Sequence, residues 1–137
     1  MRIKCIGNSA TLLPKDYHHR FVPKASPSLK FPLEIGKEYV ACGVGMFIGG
    51  TAYLIQTERE ACPDFLPAPL FQVLDGTISR HWRFWASSEF HESYVQCILG
   101  YPELTDGSNH LDELVDGSRN AVQLFAQRLQ EIRVELG

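Results

Sequence analysis

Hydrophobic and polar residues alternate with a period of two along most of residues 33–99, which is the spacing of side chains on the two faces of a β-strand. The pattern predicts five strands, over residues 38–44, 51–57, 70–74, 77–85 and 93–99. Gly49-Gly50 and Asp75-Gly76 are typical of two-residue hairpin turns. Strands joined by such tight turns are neighbours in an antiparallel sheet.

The hydrophobic spacing changes to three and four residues in the C-terminal part of the chain. Leu111, Leu114 and Val115 indicate one or two helical turns. A longer helix is predicted after Ser118, a residue type that favours the N-cap position. Its apolar stripe is formed by Val122, Phe125, Leu129, Ile132 and Leu136. We expect this stripe to dock on the sheet or, alternatively, to form the seam of a dimer.

Residues 1–32 show no sustained period. Residues 2–6 alternate briefly and predict a short edge strand. The prolines between Pro23 and Pro32 remove backbone donors and exclude a helix there. We therefore expect an extended arm or long loop over residues 7–32, with at most one short turn of helix. Residues 58–69, which are also rich in proline, are predicted to be a second loop.

These elements together predict an α+β protein that is mainly β, and a length of 137 residues fits a single domain. The domain would comprise an N-terminal strand and extended arm over residues 1–32, a β core over 33–99 and a C-terminal helical segment over 108–136. The core is expected to be a small bent antiparallel sheet or a partly open SH3-like barrel of about five strands, capped by the C-terminal amphipathic helix.

Composition and charge exclude several classes of function. The net charge of −3 is far from the basic character of nucleic-acid-binding proteins, so no nucleic-acid partner is expected. No apolar run reaches the roughly 18 residues that a membrane helix needs. The basic start of the chain is not followed by an apolar region, so a signal peptide is not predicted. We expect a cytoplasmic protein without a membrane partner.

Residues that could carry chemistry do not form a recognisable motif. The cysteines are too far apart for a metal-binding or redox pair, and we expect buried reduced thiols at Cys5, Cys42, Cys62 and Cys97. Cys62 with His81 or His91 is a weak nucleophile–base candidate. The adjacent histidines His18 and His19 lack the spacing of a structural zinc site. We therefore predict no catalytic residues, no metal and no cofactor.

The aromatic sequence His81-Trp82-Arg83-Phe84-Trp85 is the most distinctive local feature of the chain. A period of two places Trp82 and Phe84 on the core side, and His81, Arg83 and Trp85 on the opposite side. Trp85 could pack under the C-terminal helix or the proline-rich arm. Alternatively, it could anchor a partner, because tryptophan and arginine are enriched among residues that dominate binding energy.

Three stretches resemble a group of small uncharacterised bacterial proteins, some of which look like toxin-immunity proteins. The stretches are residues 33–43, which begin Leu-Glu-Ile-Gly-Lys, residues 67–82, which end Ser-Arg-His-Trp, and residues 114–125. The resemblance covers roughly the last three-quarters of the chain and is formed mostly by turn and core residues. It implies an SH3-like core and a protein that binds and blocks a toxin made by the same cell, with no catalytic residues to transfer.

The sequence thus favours a non-enzymatic protein-binding module of the immunity type, acting on a cognate toxin as a monomer or weak homodimer. The candidate partner-binding residues are aromatic and cationic anchors together with acidic loop residues: Trp85, Arg83, His81, Tyr101, Glu58, Glu60 and Asp64. The alternative is a small-molecule-binding or enzymatic domain, with a pocket between sheet and helix that uses His81 and an acidic loop residue. A third possibility is a structural subunit that dimerises through an edge strand.

Overall fold

The protein has an α+β fold that is mainly β, as shown by a computed structural model that describes residues 1–14, 17, 29–47, 49–57, 62–88 and 95–137. The strands are β1 (Arg2–Cys5), β2 (Glu38–Val40), β3 (Gly43–Phe47), β4 (Gly50–Ile55), β5 (Asp64–Pro67), β6 (Phe71–Asp75), β7 (Arg83–Ala86) and β8 (Val95–Gly100). The helices are α1 (Pro102–Thr105), α2 (His110–Val115) and α3 (Arg119–Leu136), and short 3₁₀ turns span Ala10–Leu12 and Ala68–Leu70.

The larger sheet contains five antiparallel strands in the order β5-β4-β3-β8-β7. Its β3–β4 hairpin pairs Phe47 with Gly50, so Gly50 is the first residue of β4 and the predicted turn at 49–50 is displaced by one residue. The Tyr17 ring covers this end of the hairpin, and its hydroxyl donates a hydrogen bond to the carbonyl of Thr51. A Cβ atom at Gly50 would lie 2.1 Å from the ring, so this position requires glycine.

The smaller sheet contains three antiparallel strands in the order β2-β1-β6. The prediction that residues 2–6 form an edge strand is wrong, because β1 is paired on both sides. Ile3 and Cys5 of this strand are fully buried. Alternation along the sequence reveals a strand but not its neighbours, and here the neighbours lie more than 30 residues away.

The chain passes from the smaller sheet to the larger one between β2 and β3. The amide of Ala41 donates to the carbonyl of Met1 at 3.0 Å, whereas the next amide, of Cys42, donates to the carbonyl of Leu54 in β4 at 2.8 Å. The segment predicted to be one strand over residues 38–44 is therefore two strands in two sheets. This division is one reason why the described residues form eight strands instead of about five.

Residues 62–86 depart most from the predicted structure. β5 lies in a segment expected to be a loop. Asp75-Gly76 does not close a hairpin, because β6 pairs with β1 while β7 pairs with β8. The Asp75 carboxylate instead accepts a hydrogen bond from the amide of Thr77. Residues 76–82 connect the two sheets, so the predicted strand over 77–85 is reduced to β7.

The C-terminal helix docks on the larger sheet, which confirms the prediction made from its apolar stripe. Ser118 is the residue before the helix, as predicted, although its side chain makes no capping hydrogen bond. Phe125, Leu129 and Ile132 are buried in a core that includes residues of β3, β4, β5 and β8. A second core lies on the smaller sheet, and Met1 and Tyr53 pack against both. Barrel closure of the SH3-like type stays a prediction.

No helix in the described part of the chain combines the length and the apolar character needed to span a membrane.

Replacement of Phe125 by alanine should destabilise the protein by about 3–5 kcal/mol, because it removes a fully buried ring and leaves a cavity. The measurement is the free energy of unfolding from denaturant titration. Val134→Ala on the same helix is the control, since Val134 is 71% exposed and its truncation should change the free energy by less than about 0.5 kcal/mol. Equal losses in the two variants would show that the helix does not dock through this stripe.

Candidate functional site

A tight turn over residues 79–82, here called the 79–82 turn, positions the candidate site. The amide of Trp82 donates to the carbonyl of Ser79 at 3.1 Å, and the amide of His81 donates to the Ser79 hydroxyl at 3.2 Å. The Arg83 guanidinium donates back to the carbonyls of Trp82 and His81 at 3.1 and 3.4 Å. Arg83, predicted to be a binding anchor, thus also holds the backbone of the turn.

The aromatic residues around this turn are not divided as the period of two predicted. Trp82 is buried, as expected, with 6% of its surface exposed. Phe84 is 64% exposed, so its assignment to the core is wrong. Trp85 is half-buried and packs against the core that includes residues of α3, which is closer to the alternative in which it packs inward than to that of a fully exposed anchor. The period fails because Trp82 belongs to the turn, and regular alternation begins only at Arg83.

A cleft of about 260 Å³ separates the 79–82 turn from α3. Its wall includes Ser79, His81, Trp82, Tyr101, Glu131 and Glu135. A more open groove of about 500 Å³ continues past Ile78 and Val134, and another of about 470 Å³ passes Arg80 and Gln127. Glu135 lines all three concavities, so they form one continuous surface, here called the turn–helix surface.

Two side chains of the turn meet a single carboxylate of the helix. Glu135 Oε1 lies 3.5 Å from Arg80 Nε and 4.0 Å from His81 Nε2. Arg80 Nε also donates a hydrogen bond to the same imidazole nitrogen at 3.3 Å. All of these contacts are long, so the ion pair at this end of the cleft is loosely held.

The opposite side of the cleft carries a tighter ion-pair network. Arg128 forms charge-assisted hydrogen bonds with Glu103 of α1 and with Glu131 one turn along α3, the latter at 2.8 Å. Hydrogen bonding to Arg128 lowers the pKa of both carboxyl groups and raises the pKa of the guanidinium. This network joins α1 to α3 below the cleft and compensates the positive charge of Arg128.

Two buried polar side chains adjoin the cleft. Trp82 Nε1 is buried and has no hydrogen-bond acceptor among the described residues. Tyr101, also predicted to be a binding anchor, is almost fully buried, and its hydroxyl lies 2.6 Å from His110 Nε2. Burial raises the pKa of Tyr101 and lowers the pKa of His110. Tyr101 can therefore reach a ligand only as part of the cleft wall.

The remaining predicted site residues lie elsewhere. Glu58 and Glu60 fall outside the described residues, as does His91. Asp64 begins β5 and accepts a hydrogen bond from the amide of Phe65. β5 and β7 are at opposite ends of the strand order, four strand spacings apart, or about 19 Å along the sheet. Asp64 therefore lies apart from Arg83 and Trp85.

The described residues assemble neither a nucleophile–base pair of Cys62 and His81 nor a metal site. Cys62 lies beside Gly117, before α3 begins, whereas His81 faces Glu135 near its end. The 18 residues of α3 span about 27 Å, so Cys62 and His81 are far apart. Ser79 accepts from the main chain of His81 and not from its imidazole ring. Among the described residues no three His, Cys, Asp or Glu side chains are placed to hold a metal ion.

The four cysteines are free thiols, and they are not equally buried. Cys5 and Cys42 are buried, as predicted, and burial raises the pKa of Cys42 to about 12. Cys62 and Cys97 are only half-buried, so the prediction of four buried thiols is wrong for these two.

Sequence reasoning missed the helix side of the site. Glu131 and Glu135 were visible only as part of the polar face of α3, and Arg128 lies three residues before Glu131, a spacing at which side chains meet on a helix. That spacing could have revealed the ion pair. It could not have revealed that the 79–82 turn lies against this face.

The buried Tyr101–His110 pair should make stability depend on pH. Because burial lowers the pKa of His110 in the folded state, the unfolded chain binds a proton more readily below its ordinary pKa of about 6.5. Glu103, Glu113 and Asp106 favour the protonated form but do not outweigh burial. The free energy of unfolding should therefore fall as pH decreases below about 6.5.

Denaturant titrations between pH 5 and 8 measure this effect. His110→Gln keeps an acceptor for the Tyr101 hydroxyl but cannot bind a proton in this range, so its stability should vary less with pH than that of the wild type. An unchanged pH dependence in the variant would assign the effect to other groups.

Comparisons of the chain with protein-family models, with curated proteins and with solved structures find no match.

Proposed function

We propose that this protein is a non-enzymatic binding module of the immunity type, which binds and blocks a toxin made by the same cell. The proposal includes an SH3-like barrel, a cytoplasmic location and action as a monomer or weak homodimer. Its support comes from the resemblance carried by residues 33–43, 67–82 and 114–125 and from the character of the turn–helix surface.

The main structural support for the proposal is the presence of exposed apolar side chains beside concave surfaces. Val134 and Ile78 line the same groove, and about half or more of each is accessible to solvent. Phe84 projects from β7, two residues beyond the 79–82 turn, and is not among the residues that line the three concavities. Single exposed apolar residues are ordinary on protein surfaces, but clustered ones with a charged rim are typical of protein interfaces. Arg80 and Glu135 supply such a rim.

The size of the cleft also favours a protein partner. Sites for small molecules have volumes of about 300–1,000 Å³ and enclose most of the ligand. The cleft, at about 260 Å³, lies below this range. It is large enough for one anchoring side chain, which is how a protein partner uses a well-packed pocket.

A small-molecule-binding or enzymatic domain is the second candidate. His81 and Glu135 both line the cleft between the 79–82 turn and α3, which resembles the arrangement expected for that function. The acidic group comes from the helix and not from a loop. Binding of a low-molecular-weight ligand in the cleft, without any protein partner, would favour this candidate.

The test starts from a candidate toxin gene adjacent to the gene for this protein and measures protection against the product of that gene. The toxin and the protein are expressed together in a sensitive host, and growth is measured. The wild-type protein should restore growth, whereas the double variant Phe84→Ala/Val134→Asp should not. Each change removes an exposed anchor, and losses of about 1–2 kcal/mol per anchor correspond to roughly 5–30-fold weaker binding.

Ile35→Ala is the matched control. Ile35 is 62% exposed, close to the value for Phe84, but it lines a separate groove with Asn8 and Leu33. This variant should protect as well as the wild type. Failure of the wild-type protein to protect the host would count against the proposed function. Equal protection by the wild type and the double variant would count against this surface as the binding site.

A further inference from the structure

We infer that the cleft between the 79–82 turn and α3 binds an arginine side chain of the partner protein, with the guanidinium beside Glu135 and Glu131. This inference rests on the proposed function, because it names the chemistry that the turn–helix surface recognises. Three features support it: the charge of the cleft, the nature of its walls and an unsatisfied donor in Trp82.

The ionisable side chains of the cleft leave a negative charge uncompensated. Arg128 is shared by Glu103 and Glu131, so one cation serves two carboxylates. Glu135 is 26% exposed, and its nearest cation is Arg80, at 3.5 Å. Arg80 is highly exposed, and ion pairs of this kind contribute little to stability. An incoming guanidinium can therefore replace Arg80 beside Glu135 at little cost.

The walls of the cleft suit an arginine side chain better than a compact cation. Trp82 contributes aromatic surface, and Pro102 and Ile132 contribute apolar surface. A planar guanidinium stacks on aromatic rings and binds carboxylates through two donors, while its aliphatic stem contacts apolar surface. A volume of about 260 Å³ equals roughly nine water molecules at about 30 Å³ each, which is enough for one long side chain.

The Trp82 side chain lines the cleft, and a ligand acceptor that reached its buried N–H group would satisfy a donor that has no partner among the described residues. Trp82 Nε1 can only donate, and no described residue accepts from it. A guanidinium has no acceptor, but the main-chain carbonyl of a bound arginine residue does. A carboxylate ligand would satisfy Trp82 yet face Glu131 and Glu135, so it does not fit the charge of the cleft. The combination favours an arginine residue within a polypeptide.

The experiment follows the indole N–H signal of Trp82 by NMR during titration with N-acetyl-arginine methylamide. The chain has two tryptophans, and Trp85→Phe leaves a single indole signal that identifies Trp82. We expect a saturable shift of this signal at millimolar probe concentrations. N-acetyl-citrulline methylamide, which has the same shape without the charge, should bind at least about tenfold more weakly.

A pair of variants locates the binding site. Glu135→Gln removes the loosely paired carboxylate and should weaken arginine binding by about five- to tenfold. Glu113→Gln changes an exposed carboxylate on α2, outside the cleft, and should bind the probe like the wild type.

The inference is overturned if the citrulline probe binds as well as the arginine probe, if neither shifts the signal, or if Glu135→Gln binds normally. These results are separate from those of the toxin experiment. If the Phe84→Ala/Val134→Asp variant loses protection but the cleft does not bind the arginine probe, the proposed function is retained. The cleft is then not the part of the surface that recognises the partner.

Discussion

The exclusion of water from the apolar stripe of α3 is the constraint on which the rest of the structure depends. The larger sheet covers most of the stripe, and Trp82 is part of the same core. Because Trp82 must be buried there, the connection between the two sheets has to turn back beside the helix at residues 79–82. That position creates the cleft. It also results in the ion pairs at the two ends of the cleft and in the exposed cations of the turn.

The chain forms two hydrophobic cores, one on each sheet. Consecutive amides at residues 41 and 42 bond to different sheets, so the change of sheet takes place within one peptide unit. Met1 and Tyr53 pack against both cores and leave little freedom for one sheet to move relative to the other. The surface formed by the inter-sheet connection and α3 is therefore built on a rigid base.

Elements that depend on local spacing could be predicted from the sequence, and elements that depend on distant pairing could not. The hydrophobic spacing of α3, β4 and β8 is complete within each segment, so their positions could be predicted from the sequence. The central place of β1 depends on partners in β2 and β6, which no local pattern encodes. The site divides in the same way: His81 and Arg83 stood out by residue type, whereas Glu135 gained its role only through tertiary contact.

Under the proposed function, the hydrogen bonds from Arg83 to the carbonyls of the 79–82 turn would affect the kinetics of recognition. A free loop loses conformational entropy when it binds, and that loss weakens the complex. Here the backbone is already fixed before any encounter, so a partner would meet a surface close to its bound shape. Association would then be limited by diffusion and orientation, without a slow step of rearrangement. Arg83 would in this way affect how fast the complex forms, in addition to any contact with the partner.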